Sequence, residues 1–537
     1  MKTLSLMLDC SRNAVPNIPF LKRFIDILSE IGYNELQLYT EDLYEIDDEP
    51  YFGYLRGRFT KNDIIEIDQY CISKGIELVP CIQTLAHLDN MFRWGRYESI
   101  HDFGNVLLVD EEETYAFIEK EFQTLSQMYS SRKVNIGMDE AHLMGLGKHL
   151  RKYGYENPQD MFFRHLQRVN EIAKKYGFHP MMWSDMFIRY DNEGEYYCKN
   201  PLISEKVKAK KPDNIDLVYW DYGKRDKRIY RAMIKAHQRL GCDNLRWAAA
   251  CWSFTGFVPH NYYGLAAQKA AFPVMKAMGV ENYMLAIWGD DGAECSKLAN
   301  LPAIFHFAEM AKGNRDFANI KFKFQERFGI SWSDFNAIDL PNIVDKQPLD
   351  VYNPSKYMLY NDYFLGIFDN TVDTDAHIGD KYRKYAHRLQ KTAKNKEFGY
   401  IFETAAQLCK VLTIKYELGV KTREAYQTNN KEEMSILVRK YVRLERLLND
   451  FYRSFQKEWR IENSEYGFEV QTARIGGLIQ RTKDCKARLN AWIKGEIAEI
   501  PELRENIELD PYGRGKDYGK RAVVCNIYGN CFTANYK

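Results

Sequence analysis

The chain opens on a short apolar run, Leu4 to Leu8, that closes on Asp9, and the same pattern recurs seven more times over the first three hundred residues. The later runs are Glu35 to Tyr39, Ile76 to Cys81, Val134 to Gly137, Met181 to Trp183, Leu217 to Trp220, Trp247 to Trp252 and Tyr283 to Trp288. Longer segments separate them, among them Ile18 to Ile31, Asn62 to Lys74, Glu112 to Tyr129, Gln159 to Tyr176 and Lys227 to Leu240, with apolar residues at helical spacing. Short apolar runs alternating with amphipathic helices predict βα units around a parallel sheet, and eight such units close a (β/α)8 TIM barrel. A doubly wound sheet is the alternative, but no G-x-G-x-x-G fingerprint follows an early strand.

Beyond residue 345 the pattern changes to long, charged, 3.6-periodic stretches: Lys381 to Lys394, Tyr400 to Leu418, Glu432 to Trp459 and Phe468 to Gly495. The predicted fold is therefore α/β, a barrel over 1–345 followed by an α-helical domain over 346–537, with the junction in Asp345 to Pro354. An irregular tail is expected from residue 510, with turn residues at Tyr512-Gly-Arg-Gly515 and Asp517-Tyr-Gly519 and a short apolar run from Ala522 to Ile527. Apolar helix faces in the second domain could form a homodimer interface or pack on the barrel; the two look alike in sequence.

Charge narrows the function classes. Lysine and arginine total 75 against 74 acidic residues, which argues against nucleic acid as a partner bound by bulk positive charge. The first thirty residues contain Asp9, Arg12 and Asn13 and lack the unbroken apolar stretch of a signal peptide or membrane span, so a cytoplasmic protein without a membrane partner is expected. Eleven cysteines are scattered singly without CxxC pairs, which predicts reduced, mostly buried thiols. No H-x-H or H-E-x-x-H pairing occurs among the histidines, so neither a catalytic metal nor another cofactor is expected.

The chemistry is predicted at the carboxyl ends of the strands, where a barrel assembles its site. The strongest segment is Val134-Asn-Ile-Gly-Met-Asp-Glu140, a strand that ends on adjacent carboxylates. Held close, Asp139 and Glu140 would have their pKa values pushed apart, leaving one as proton donor and the other ionised; acids opening a helix would serve its dipole instead. Trp183, Trp220, Trp252 and Trp288 occupy equivalent strand ends, and four such aromatics point to a sugar-binding wall more than to core filling. His87 ends the third strand region, and an ordinary two-carboxylate glycosidase would draw its second acid from Glu41, Asp185 or Asp290.

Gly137-Met-Asp139-Glu140 resembles the G-x-D-E motif of family-20 glycoside hydrolases, the β-N-acetylhexosaminidases. The likeness is greatest to the streptococcal-type cytoplasmic exo-β-N-acetylglucosaminidases, through Leu36-Gln-Leu-Tyr-Thr-Glu-Asp42, Pro80 to His87, Asn135 to His142, Met181 to Met186 and Gly467-Phe-Glu-Val-Gln471. The resemblance implies a retaining exo-enzyme that removes terminal β-linked GlcNAc, or GalNAc, from small oligosaccharides through an oxazolinium intermediate formed by the substrate's own acetamide. It assigns Glu140 as acid/base, Asp139 as the group that orients the acetamide N–H, and Tyr222 as the hydroxyl that holds its oxygen. Trp183, Trp220, Trp252 and Trp288 would wall the pocket, with Asp290 in place of the acid that reaches the outer hydroxyls, and Arg12, Glu41 and His87 are further candidate substrate-binding residues. Many relatives carry an arginine early in the first strand where this chain has Leu4, so Arg12, Arg56 or Arg58 is expected to substitute. The first strand is predicted almost at residue 1, so the small α/β domain that precedes the barrel in many relatives is expected to be absent. A conventional two-carboxylate glycosidase and a catalytically silent sugar-binding barrel are the alternative readings.

Overall fold

The computed structural model describes residues 1–344, 351–507 and 525–535. Eight parallel strands close a barrel: β1 (Thr3–Asp9), β2 (Glu35–Tyr39), β3 (Glu77–Cys81), β4 (Lys133–Asn135), β5 (His179–Trp183), β6 (Asp216–Trp220), β7 (Arg246–Cys251) and β8 (Asn282–Ile287). Chain order is spatial order, and β1 completes the ring by pairing with β8, Leu6 opposite Leu285. Residues of β1, β2, β7 and β8 are buried on both faces, which is why these strands read as unbroken apolar runs rather than alternating ones.

The crossover helices begin and end on local chemistry. Helix α1 (Ile18–Ile31) starts where the Asn17 side chain accepts from the Phe20 N–H, and it stops at Gly32, whose φ of 97° suits glycine. Helix α2 (Lys61–Ser73) opens on a reciprocal capping box between Thr60 and Asp63. Helices α3 (Glu112–Met128), α4 (Pro158–Lys175) and α5 (Lys227–Arg239) follow the predicted segments to within a residue or so.

One departure bears on function. The sequence predicts β4 through Gly137, but the strand ends at Asn135, because Gly137 and Met138 adopt φ values of 69° and 65° and turn the chain out of extended geometry. That kink re-aims the two residues that follow. At the amino-terminal end of the barrel, buried Glu35 pairs with Arg246 and lies 3.4 Å from Lys133, which also pairs with Glu77 at 2.6 Å. Burial opposes the Glu35 charge, yet these cations hold its pKa down to about 2, so this end is a structural plug.

The described chain forms two compact units that interleave in sequence. The first comprises Met1–Cys251, Gly264–Trp288 and Ile304–Phe317; the second takes Trp252–Tyr263, Gly289–Ala303 and the chain from Ala318 onward. The loops that follow β7 and β8 thus belong to the helical unit. Its framework is four long helices, α6 (Ile378–Thr392), α7 (Gly399–Gln427), α8 (Lys431–Glu462) and α9 (Phe468–Lys494), each packed on the next. Leu437, Tyr441, Leu444, Leu448, Phe451 and Phe455 form the buried stripe of α8 at alternating spacings of four and three. The helix Leu301–Ala311 was not foreseen, because it is buried nearly all round and shows no polar face. The predicted junction around 345–350 and the tail segment 508–524 lie outside the described residues. All eleven cysteines are free, nine of them buried, and among the described residues no helix is long and apolar enough to cross a membrane.

Candidate active site

The kink after β4 is fixed by a contact that only glycine permits. A β-carbon at Gly137 would sit 2.1 Å from Gln83 Oε1 and 2.8 Å from the Ile82 carbonyl. Gln83 then serves both neighbours of the turn: its Oε1 accepts from the Met138 N–H at 3.1 Å, and its Nε2 donates to Asp139 Oδ1 at 2.8 Å and to the Tyr39 hydroxyl at 3.0 Å. The Asp139 carboxylate is thereby held by a side chain from the end of β3.

On its other oxygen Asp139 meets His87 Nε2 at 3.3 Å, while Glu140 Oε2 lies 3.9 Å from the same nitrogen. Burial disfavours charge on the His87 ring, but Asp139 and Glu41 outweigh it and raise its pKa to about 9. Burial likewise works against the Asp139 anion, and the imidazolium together with the Gln83 amide holds its pKa below the usual carboxylate value. Glu140 differs sharply from its neighbour: its side chain is 44% exposed against 13% for Asp139. Its backbone is left-handed at φ 51°, and its N–H donates to Asp185 Oδ2 at 3.1 Å. One fixed, ionised carboxylate thus stands beside a reachable one.

Across the mouth, Arg12 lies 3.0 Å from Glu41, which also accepts from the Tyr39 hydroxyl at 3.1 Å. Burial of Glu41 and the charge of nearby Asp9 outweigh that contact and raise its pKa to about 7. Of the other two arginines considered, Arg56 is tied to Asp42 and the Ser11 carbonyl, and Arg58 to the carbonyls of Pro50 and Phe52. Arg12 is the one of the three that meets Glu41.

The aromatic residues of the first unit form two joined pairs. Trp288 packs on Trp183 with ring centres 5.8 Å apart and edge-on to Tyr39 at 5.0 Å, and its Nε1 donates to the Tyr222 hydroxyl at 2.9 Å. Tyr222 in turn packs on Trp220 at 5.3 Å, which leans on Tyr196 at 4.7 Å. Trp183, Trp220, Tyr222 and Trp288 thus form one chain of contacts, with Trp183 itself fully buried, and Tyr39 and Gln83 link that chain to Asp139 and, through Asp139, to His87. Trp252 and Asp290 stand on the two loops of the second unit, Trp252 packed on Phe254 and Tyr263 and Asp290 in left-handed geometry at φ 35°.

Sequence reasoning did not single out Tyr39, Gln83 as an individual ligand of Asp139, or Arg189. Arg189 is four residues after Asp185 and pairs with it at 3.3 Å, a helical spacing that could have flagged it. Gln83 has no local signal, because its partners come from β2 and the β4 turn. Asp185 proves to be fully buried, occupied by the Glu140 N–H and by Arg189, so it backs the acidic pair rather than facing a ligand.

A closed parallel barrel with an acidic pair and aromatic walls at its carboxyl-terminal mouth defines a carbohydrate-processing class. Residues 5–237 match the description "Glycosyl hydrolase family 20, catalytic domain", and residues 331–522 match "Glycoside Hydrolase 20C C-terminal domain". The chain carries a family-20 glycoside hydrolase catalytic domain followed by a 20C C-terminal domain. It is similar to Hexosaminidase D of Homo sapiens, 21% identical over 256 residues, an alignment that spans 45% of this chain and only about half, 49%, of that protein. Solved structures with a likeness include a GH20 β-N-acetylhexosaminidase from Streptomyces coelicolor A3(2), at 20% identity and a TM-score of 0.46, covering 61% of this chain and 69% of that one. Another is a GH20 exo β-N-acetylglucosaminidase from Vibrio harveyi in complex with N-acetylglucosamine, at 15% identity and a TM-score of 0.46, covering 63% and 58%.

Proposed function

We propose that the protein is a retaining exo-β-N-acetylhexosaminidase that removes terminal β-linked GlcNAc, and GalNAc where the rim accepts an axial hydroxyl, from small oligosaccharides. The observation that carries this reading is the asymmetry of the acidic pair: Asp139 is clamped and ionised between Gln83 and His87, while Glu140 beside it is reachable. Glu140 protonates the leaving oxygen and later activates water, and Asp139 orients the acetamide N–H and stabilises the positive charge that develops on it. The acetamide oxygen attacks the anomeric carbon as the glycosidic bond breaks, so the oxazolinium forms without a protein nucleophile. Tyr222 holds the acetamide oxygen, Trp183, Trp220 and Trp288 pack on the ring, and Arg12 with Glu41 reads the outer hydroxyls. No resident metal or cofactor takes part.

Two features favour this over a two-carboxylate glycosidase. Asp185 is sealed behind the Glu140 backbone, and Glu41 is buried against Arg12 and Tyr39, which leaves neither placed to attack an anomeric carbon. The test is release of 4-nitrophenol from matched β-glycosides of GlcNAc, GalNAc and glucose by wild type and Glu140→Gln. Cleavage confined to the 2-acetamido sugars and reduced about 100-fold or more in the variant is expected, given what a positioned general acid contributes. Equal cleavage of the glucoside would overturn the substrate-assisted mechanism, and binding without turnover would favour a silent carbohydrate-binding barrel.

A further inference from the structure

We infer that Asp185, tied to Arg189, is a positioning residue for the general acid: it holds the Glu140 main chain in the left-handed conformation from which the carboxyl reaches the leaving oxygen. The inference rests on the assignment of Glu140 as acid/base.

Trp183, the last residue of β5, and the two residues that follow it divide the work. Trp183 packs on Trp288. Ser184 anchors the turn: its N–H donates to the Val218 carbonyl at 3.0 Å, and its hydroxyl sits 2.7 Å from His237 Nε2 and 3.1 Å from the Tyr196 hydroxyl. The other nitrogen of His237 bonds the Met233 carbonyl at 2.7 Å, and burial lowers its pKa to about 4, so this ring is a neutral strut. Asp185 is thus presented from a fixed backbone.

What Asp185 does there is specific. One carboxylate oxygen accepts from the Glu140 N–H at 3.1 Å and from Arg189 Nε at 3.3 Å, while the other is buried without a hydrogen-bond partner. A buried carboxylate half satisfied in this way is costly to keep unless its one contact matters. That contact is the backbone of a non-glycine residue at φ 51°, a conformation that costs free energy unless its surroundings over-determine it. Arg189 completes the bracket: its Nη1 donates to the Gly194 carbonyl at 2.8 Å, and its other terminal nitrogen lies 3.9 Å from Glu140 Oε1. The charged and titratable groups around Asp185 are Asp139 and Glu140 on the β4 turn, Arg189 at the end of the helical turn Asp185–Arg189, and the phenols of Tyr190, Tyr196 and Tyr197.

If Asp185 works through the acid, its removal must hurt most where acid assistance is needed most. The experiment measures kcat/KM for N,N′-diacetylchitobiose, whose sugar leaving group requires protonation, and for 2,4-dinitrophenyl β-N-acetylglucosaminide, whose leaving group departs unaided. Asp185→Ala is expected to lose about 100-fold on the disaccharide and under about 5-fold on the activated glycoside, with Asp185→Asn, which keeps an acceptor for the N–H, falling in between. Glu140→Gln run alongside must show the same dependence on the leaving group. Equal losses on both substrates, or no loss on either, in both Asp185 variants would overturn the inference while Glu140→Gln keeps its pattern. If Glu140→Gln itself lacks the pattern, the assignment of the acid fails first. Asn recovering the disaccharide rate relative to Ala supports positioning; Asn and Ala alike on the disaccharide would contradict it.

Discussion

Two clusters of carboxylates and cations in this molecule are put to opposite ends. In the helical unit Asp291 and Glu294 face Lys356 and Arg474, two anions against two cations: Lys356 lies 3.2 Å from Asp291 and 2.9 Å from Glu294, and Arg474 reaches both at 2.7 and 3.1 Å. Those cations more than offset burial and hold the Asp291 pKa below the usual carboxylate value. In the barrel unit Asp139, Glu140 and Asp185 share His87 and Arg189 unevenly, and burial next to Asp139 raises the Asp185 pKa to about 7. The matched cluster is a fastener; the mismatched one holds Asp139 ionised beside Asp185, which burial and that neighbouring charge keep protonated up to about pH 7.

The comparison predicts that damage to the two clusters separates into rate and stability. Asp139→Asn is expected to lower kcat on N-acetylglucosaminides by about 100-fold or more, with a loss in melting temperature confined to pH values below about 9, where His87 is charged. Lys356→Met should act chiefly on stability, costing about 1.5–3 kcal/mol in urea unfolding because it leaves Asp291 and buried Glu294 with Arg474 as the remaining cation of the cluster, while the folded protein keeps near-normal kcat. Gly137→Ala joins the classes: the added carbon meets Gln83 and the Ile82 carbonyl, so both a loss of about 1–3 kcal/mol and a loss of activity are expected, read by melting and by assay of the same sample.

A smaller effect follows from His87. Its pKa of about 9 lies above the ordinary 6.5, so the folded state binds the proton more tightly than the unfolded chain. The stability it supplies is complete below pH 6.5 and is lost as pH rises through 9. Melting curves of wild type and His87→Gln should therefore converge across that window, and a constant gap would contradict the pairing with Asp139. Smallest of all, Arg12→Lys should raise KM a few-fold and leave kcat nearly unchanged, as expected of a group that binds ground and transition state alike.

Much of this arrangement was legible in the chain itself. Strands buried on both faces announce themselves as apolar runs, and each run ends in the residue types that a barrel mouth uses, so Asp139, Glu140, His87 and three of the four tryptophans could be placed together from their positions alone. Gly137 could be read as part of a motif, but not as the residue that makes room for Gln83, since that contact joins positions 54 apart. Asp185 could be flagged as an acid at a strand end, yet its partner is a backbone N–H 45 residues away, which no side-chain pattern records. For the same reason a cut at residue 345 could not foresee that the loops 252–263 and 289–303 join the helical unit, because what ties the second of them there is the pairing of Asp291 and Glu294 with Lys356 and Arg474.

The central claim is that the substrate's own acetamide, guided by Asp139, replaces a protein nucleophile. It is tested most directly by comparing kcat/KM for 4-nitrophenyl β-glucosaminides that carry N-acetyl, N-fluoroacetyl, N-difluoroacetyl and N-trifluoroacetyl groups. Fluorine drains the amide oxygen of nucleophilicity while changing size little, so the account predicts a steep, progressive fall along the series. Rates that stay level or rise with fluorination would contradict it and require a carboxylate of the protein to attack instead.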